Sequence, residues 1–328
     1  MKSINNFYKN KKILITGGTG LIGLQLVNYL SRYNAKIHVA SLDGHIKFPK
    51  NIRFYKTDLR DINNCIKITK NIDYVFHLAG VKGSPLMASI KQYEFMIPML
   101  MFNTNMIEAC RINNIKKFMF TSSIGVYQPA NKLNEDDVWK TFPSTNDWYA
   151  GWAKRIGELS TSLLKNKKID TFIVRPANVF GPYDNFNKNN SMVIPSLISK
   201  FLSKNNEVKI WGDGTNIRDF VYSKDVARAM LHIMKSDIRE PINIGSGKSV
   251  TIKYLANLIN KLTLNKKKIK WVKTNTAGDK IRLMNISKLK KSNFKFEYSL
   301  EEGLKETIYW YKNNNYIKNK YNAFEEKR

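Results

Sequence analysis

The chain has 328 residues, 43% of them hydrophobic and 25% charged, enough to bury a full core in one large or two medium domains. No apolar run reaches the roughly 20 residues that span a bilayer, and Met1 to Lys12 lacks the apolar middle of a secretory signal, so a cytoplasmic protein with no membrane partner is expected. The net charge of +29 is carried mostly by Lys scattered among Asn and Ile rather than by an Arg stripe; it argues for a general attraction to anionic substrates and against a nucleic-acid partner.

The first element is an apolar run, Lys12 to Thr16, that breaks into Gly17, Gly18, Thr19, Gly20, Leu21, Ile22 and Gly23 before an apolar period resumes at Leu24, Leu26, Val27 and Leu30. It reads as strand, phosphate loop, helix. Gly17 permits the tight turn, Gly20 lets backbone approach a pyrophosphate, and Gly23 lets the helix pack closely, with free N–H groups at the helix start facing the anion. A plain turn between strand and helix uses some of the same residues, but the strand before and amphipathic helix after favour a dinucleotide site.

Strands then alternate with helices: strands at Lys36 to Leu42, Ile52 to Lys56 and Tyr74 to Leu78, a helix at Ile90 to Asn113, a strand at Lys117 to Ser122, a helix at Tyr149 to Leu164 and a strand at Thr171 to Val174. This alternation predicts an α/β fold, a Rossmann-type doubly wound parallel sheet with right-handed crossovers. From Asn178 onward Pro and Gly punctuate the chain, and helices are expected at Pro195 to Leu202, Ser223 to Met234, Ile252 to Leu262 and Leu300 to Tyr311. The reading is a dinucleotide-binding domain over 11–177 with returns near 219–247, and a smaller C-terminal α/β substrate-binding domain over 178–218 and 248–315. Tails are expected at 1–10 and 314–328, the latter frayed. Cys65 and Cys110 lack metal-knuckle spacing and read as small buried hydrophobes, so no metal site is expected. The runs Lys165 to Lys168 and Lys266 to Lys270 read as solvated loops.

Several further motifs follow the glycine loop: Asp58-Leu59-Arg60-Asp61, His77-Leu78-Ala79-Gly80, Thr121-Ser122-Ser123, and Arg175-Pro176-Ala177-Asn178-Val179-Phe180-Gly181-Pro182. Together they resemble the extended short-chain dehydrogenase/reductases, the NAD-dependent epimerase/dehydratase family that acts on nucleotide sugars, over nearly the whole chain. Within it, Gly181 to Phe186, Asn190 to Pro195, Trp211-Gly212-Asp213-Gly214, Arg218-Asp219-Phe220 and Gly278 to Leu289 are similar to the GDP-fucose synthase group.

The resemblance implies that Leu78, Ala79 and Gly80 line the cofactor, that Asp58 accepts from the adenine amino group, and that Leu59 supplies backbone there. The second strand should end at the adenosine ribose, where Ser41 and then Asp43 stand; no Arg is there to take an extra phosphate, which points to NAD and leaves NADP open. Catalysis in the family uses a hydroxyl, a Tyr and a Lys, because Lys lowers the pKa of the Tyr base and Ser or Thr orients the sugar oxygen. Ser123 and Lys154 match. Tyr149 stands five residues before Lys154 rather than the family's four, which turns it by about 100° on an ideal helix. Either an i to i+5 bulge near Gly151 restores the pair, the reading favoured from sequence, or Ala150 has replaced the catalytic Tyr and Tyr149 only packs.

The same resemblance narrows the reaction. Ile124 and Gly125 stand where family dehydratases carry an Asp-Glu pair, and Met192 stands where the GDP-fucose synthases carry His. None of them carries a proton, so 4,6-dehydration and double epimerisation are not expected, leaving hydride transfer at sugar C4. Arg218 and Arg282 match positions that hold the nucleotide diphosphate, Lys200 adds a point charge, and Asn178 faces the sugar. A GDP-linked nucleotide-sugar substrate and a homodimer paired through the two long helices complete the expectation. The alternative is a catalytically impaired relative that binds dinucleotide as a structural or redox-sensing ligand.

Overall fold

The structure is a computed structural model, and it describes residues 3–44, 46–273, 278–314 and 322–324. Most of the expected C-terminal tail lies outside the described residues. A short helix, α1 (Ile4–Tyr8), comes first; Tyr8 is fully buried and its hydroxyl donates to the Leu231 carbonyl at 2.7 Å, which docks the N-terminal segment. The first half continues with β1 (Lys12–Thr16), α2 (Gly23–Arg32), β2 (Lys36–Ser41), β3 (Arg53–Lys56), α3 (Ile62–Thr69), β4 (Tyr74–His77), α4 (Pro85–Ile90), α5 (Gln92–Ile112), β5 (Lys117–Thr121), α6 (Trp148–Ser162) and β6 (Asp170–Pro176). The long helix expected at Ile90 to Asn113 is α5, and a short further helix, α4, precedes it across Lys91.

Shorter elements make up the rest: β7 (Asn178–Phe180), α7 (Val193–Phe201), β8 (Glu207–Trp211), β9 (Ile217–Arg218), β10 (Phe220–Tyr222), α8 (Ser223–Lys235), β11 (Ile242–Ile244), β12 (Val250–Thr251), α9 (Ile252–Thr263), β13 (Lys268–Val272), β14 (Ile281–Arg282), α10 (Ser287–Lys291) and α11 (Leu300–Asn313). Seven strands form one parallel sheet in the order β11-β6-β5-β4-β1-β2-β3. Its central strands are apolar along their length because helices cover both faces. Ile13, Ile15 and Phe76 pack on one face, and Leu14, Val75 and Phe118 on the other. A third core, with Phe201, Leu255 and Leu304, holds the smaller sheets together. Strand order reverses between β1 and β4, and a crevice opens at the carboxyl ends of the strands there.

The register of α6 decides which side chains reach that crevice, and three ties fix it. A Cβ at Gly151 would lie 2.5 Å from the Gly125 carbonyl oxygen, so only Gly lets the helix sit this close. Arg155 donates from Nε and Nη2 to the Val126 carbonyl at 2.9 and 2.6 Å. Glu158 receives a bidentate pair from Arg175 of β6 at 2.8 and 2.6 Å, with both side chains buried. The helix is α-helical from Trp148 to Ser162, and the expected bulge does not form.

Candidate active site

The crevice is a cavity of about 960 Å³ running from the glycine loop to the loop after β7. At one end Gly17 holds φ +65°, and its carbonyl oxygen lies 2.4 Å from where a Gly23 Cβ would stand, so the loop is closed tightly on the start of α2. No side chain caps α2, and Leu21, Ile22 and Gly23 at its start line the cavity. Thr19 Oγ1 contacts Ser41 Oγ at 2.6 Å and donates to Asp43 Oδ2 at 3.3 Å, which gathers the end of β2 beside the loop.

Opposite, Thr16 Oγ1 accepts from the Leu78 and Ala79 N–H groups at 3.2 Å each and contacts His77 Nδ1 at 2.8 Å. Burial, then the Lys154 charge, pushes the His77 pKa down to about 3, so the ring is a neutral strut for Leu78 to Gly80 rather than an acid. Sequence reading of that motif did not supply this role; the Thr that closes β1, level with His77 in the neighbouring strand, is the signal that carries it. Asp58 and Leu59 also line the cavity, but Arg60 already donates to the Asp58 carboxylate from Nε at 2.9 Å and Nη2 at 2.6 Å.

Ser123, Ala150 and Lys154 all line the cavity wall. Lys154 Nζ donates to the Thr121 carbonyl at 2.8 Å, and burial pushes its pKa from 10.5 down to about 8. Ser123 Oγ accepts the Gly125 N–H at 3.0 Å, so its own hydroxyl hydrogen is available to donate. The buried hydroxyls of Thr121 and Ser122 have no protein partner and stand at this wall. Tyr149 is corrected here: it does not line the cavity and is 37% exposed. On a regular helix it projects about 140° around from Lys154, whereas Ala150 is about 40° away and takes the place beside Lys154.

On the far side stand Asn178, Asp184, Asn185, Asn190, Met192 and Arg282. Asn178 Nδ2 donates to the Asp219 carbonyl at 2.9 Å. Arg282 spends its guanidinium on Asp279, at 2.8 and 2.6 Å, and on Asp147. Burial opposes its charge, but Asp147 and Asp279 hold its pKa above the ordinary value. Arg218 does not line the cavity; it donates to the Ile217 carbonyl at 2.8 Å, and burial with the Arg282 charge pushes its pKa to about 10. Lys200 is also off the wall, its ammonium bonded to the Lys209 carbonyl at 3.0 Å. Both side chains cap backbone carbonyls instead, Arg218 that of Ile217 and Lys200 that of Lys209.

Two features of this side escape sequence reading. Asp184 is 4% exposed; its Oδ1 accepts Lys82 Nζ at 2.7 Å and the Asn185 N–H at 2.8 Å, while Oδ2 is buried without a partner. Near the C-terminus, Phe324 packs on Phe95 at 5.2 Å between ring centres, and Asn322 Oδ1 accepts from Asn190 at 3.0 Å, so this segment borders the cavity.

Residues 13–245 match the model of the NAD dependent epimerase/dehydratase family. The chain belongs to this family. GDP-mannose 3,5-epimerase of Arabidopsis thaliana is 28% identical over 315 residues, covering 93% of this chain and 83% of that protein. GDP-L-fucose synthase of Escherichia coli strain K12 is 30% identical over 264 residues, 75% of this chain and 82% of that one. Among solved structures, a UDP-N-acetylglucosamine 4-epimerase from Methanobrevibacter ruminantium, in complex with UDP-N-acetylmuramic acid, has a TM-score of 0.81 at 32% identity, covering 92% of this chain and 98% of that one. The family is NAD-dependent, and the closed glycine loop, the uncapped start of α2 and the two orphaned hydroxyls fit a dinucleotide laid along this epimerase/dehydratase crevice. Among the described residues no helix is long and apolar enough to cross a membrane.

Proposed function

We propose that the protein is an NAD(P)-dependent nucleotide-sugar oxidoreductase or epimerase working by hydride transfer at sugar C4, on a GDP-linked sugar. The observation that carries this reading is the continuous cavity from the glycine loop past Ser123 and Lys154 to Asn178 and Asp184. GDP-sugars are in the names of the two relatives above. NAD, when bound, supplies the hydride acceptor and donor.

The chain's own part is proton handling and orientation. Ser123 donates to the sugar oxygen. Lys154, with a pKa of about 8, exchanges the proton, and the small Ala150 leaves room for a water between them. Asp184 Oδ2 accepts a sugar hydroxyl, which removes the cost of a buried carboxylate oxygen left unpaired. Ile124, Gly125 and Met192 line the cavity near the reacting centre without an exchangeable side-chain proton, which supports C4 chemistry over dehydration or double epimerisation.

Tyr149, in this reading, serves association. With Trp152, Ile156, Leu159 and Leu163 it follows alternating spacings of three and four along α6, and four of these five are exposed apolar side chains. Such a stripe beside α5 supports a homodimer paired through these helices. Ala150 in the place beside Lys154 also favours a second reading, dinucleotide binding without turnover. Incubation with GDP-, UDP- and dTDP-sugars, read by nicotinamide absorbance and by NMR of the sugar, separates the two. Turnover of a GDP-sugar at C4 is expected; tight NAD binding with no product from any sugar would leave only the second.

A further inference from the structure

At the amino ends of β1, β2 and β3, the edge of the sheet opposite the glycine loop, a second cavity of about 510 Å³ opens. It shares no lining residue with the first. Lys12 stands beside Lys36 in the ladder of β1 and β2, and His38 beside Arg53 in that of β2 and β3. Alternation along a strand puts Lys36 and His38 on one face, and α3 brings Lys67 and Lys70 over it from its C-terminal end.

Five cations therefore line one concavity whose wall contains no carboxylate. None of the five is ion-paired with a described carboxylate. Asp73 is nearby, but its oxygens are taken by the Lys12 N–H at 3.0 Å and by Lys116 Nζ at 2.7 Å. Other crowded cations in this chain are compensated: Arg228, Arg282 and Lys288 each contact two carboxylates. The general excess of Lys does not account for the difference. His38 reports the same potential, since burial and then the Arg53 and Lys12 charges push its pKa down to about 4. It stacks on Tyr55 at 5.9 Å between ring centres, which gives the cavity an aromatic wall.

We infer that this cavity is a binding site for a small molecule carrying two or more phosphate groups. Several uncompensated cations converging without an acid call for a multiply charged anion, and one carboxylate would neutralise only one of them. A volume within the range of small-molecule pockets, bounded by strands and α3, suits a compact ligand rather than a nucleic-acid duplex. The inference is independent of the reaction proposed for the other cavity.

Inorganic tripolyphosphate is the probe, titrated calorimetrically into the full chain at about 0.15 M salt, where surface attraction is largely screened, with NAD saturating. One saturable site is expected. Its affinity should fall by roughly tenfold or more, the scale of one lost charge-assisted contact, in Arg53→Ala/Lys67→Ala, both exposed side chains whose loss leaves the core intact. It should be unchanged in Lys165→Ala/Lys167→Ala, an exposed pair elsewhere. Absence of saturable binding, loss of binding on adding NAD, or an equal fall in both double variants would overturn the site. Tighter binding of a DNA duplex, with the same sensitivity to Arg53 and Lys67, would overturn the small-molecule assignment.

Discussion

Removing the Lys154 ammonium should leave the protein inactive and change its stability in a pH-dependent way. Burial lowers the Lys154 pKa from 10.5 to about 8, so the folded state holds this proton less tightly than the unfolded chain. That difference is worth about 3 kcal/mol against folding below pH 8, and it fades between about pH 8 and 10.5, where the unfolded chain still binds the proton and the folded one does not. Lys154→Met deletes this penalty but also orphans the Thr121 carbonyl, which costs about 1–3 kcal/mol. Urea denaturation of both proteins from pH 7 to 10.5 isolates the ionisation, because every other titrating group is common to the two. The wild type should gain about 3 kcal/mol on the variant across that range, whatever their order at pH 7. A stability difference that stays constant with pH would refute a strained, low-pKa Lys154.

Three other substitutions probe separate parts of the site. Gly23→Ala puts a Cβ 2.4 Å from the Gly17 carbonyl oxygen, so NAD affinity by fluorescence titration should fall at least about tenfold, a loss of 1.4 kcal/mol; unchanged affinity would show that the loop does not hold the cofactor. Glu158→Ala leaves the Arg175 guanidinium buried without its partner and should cost about 3–5 kcal/mol in urea denaturation. A cost under about 1 kcal/mol would mean that the pair does not fix α6. Asp184→Asn should raise the KM for the sugar about tenfold or more while NAD affinity holds, since it weakens an acceptor on the substrate side only; equal effects on both ligands would contradict that placement.

The parallel sheet was legible because its strands are apolar runs buried on both sides, and the glycine loop because tight closure leaves no alternative to Gly at positions 17 and 23. Ser123, just past the end of β5, and Lys154, within α6, came from the family resemblance rather than from any local pattern, and both line the cavity. The Tyr149 register was not legible. A five-residue spacing allows either a bulge or a displaced side chain, and the choice rests on contacts distant in sequence, Gly151 on Gly125 and Glu158 on Arg175. Lys200 and Arg218 were misplaced because a cation far from the sheet satisfies backbone carbonyls as readily as a phosphate. Asp184 and Lys82 are 102 residues apart and meet only when the two loops fold over one crevice, so no local pattern announces them.

The most direct measurement is the turnover of a GDP-sugar by wild type and by Tyr149→Phe under identical conditions. Because Tyr149 stands outside the cavity, the variant should keep kcat/KM within about twofold of wild type, less than about 0.5 kcal/mol of transition-state stabilisation. A loss of about a hundredfold or more, the scale of a removed general acid or base, would put the Tyr149 hydroxyl at the reacting sugar and contradict the site described.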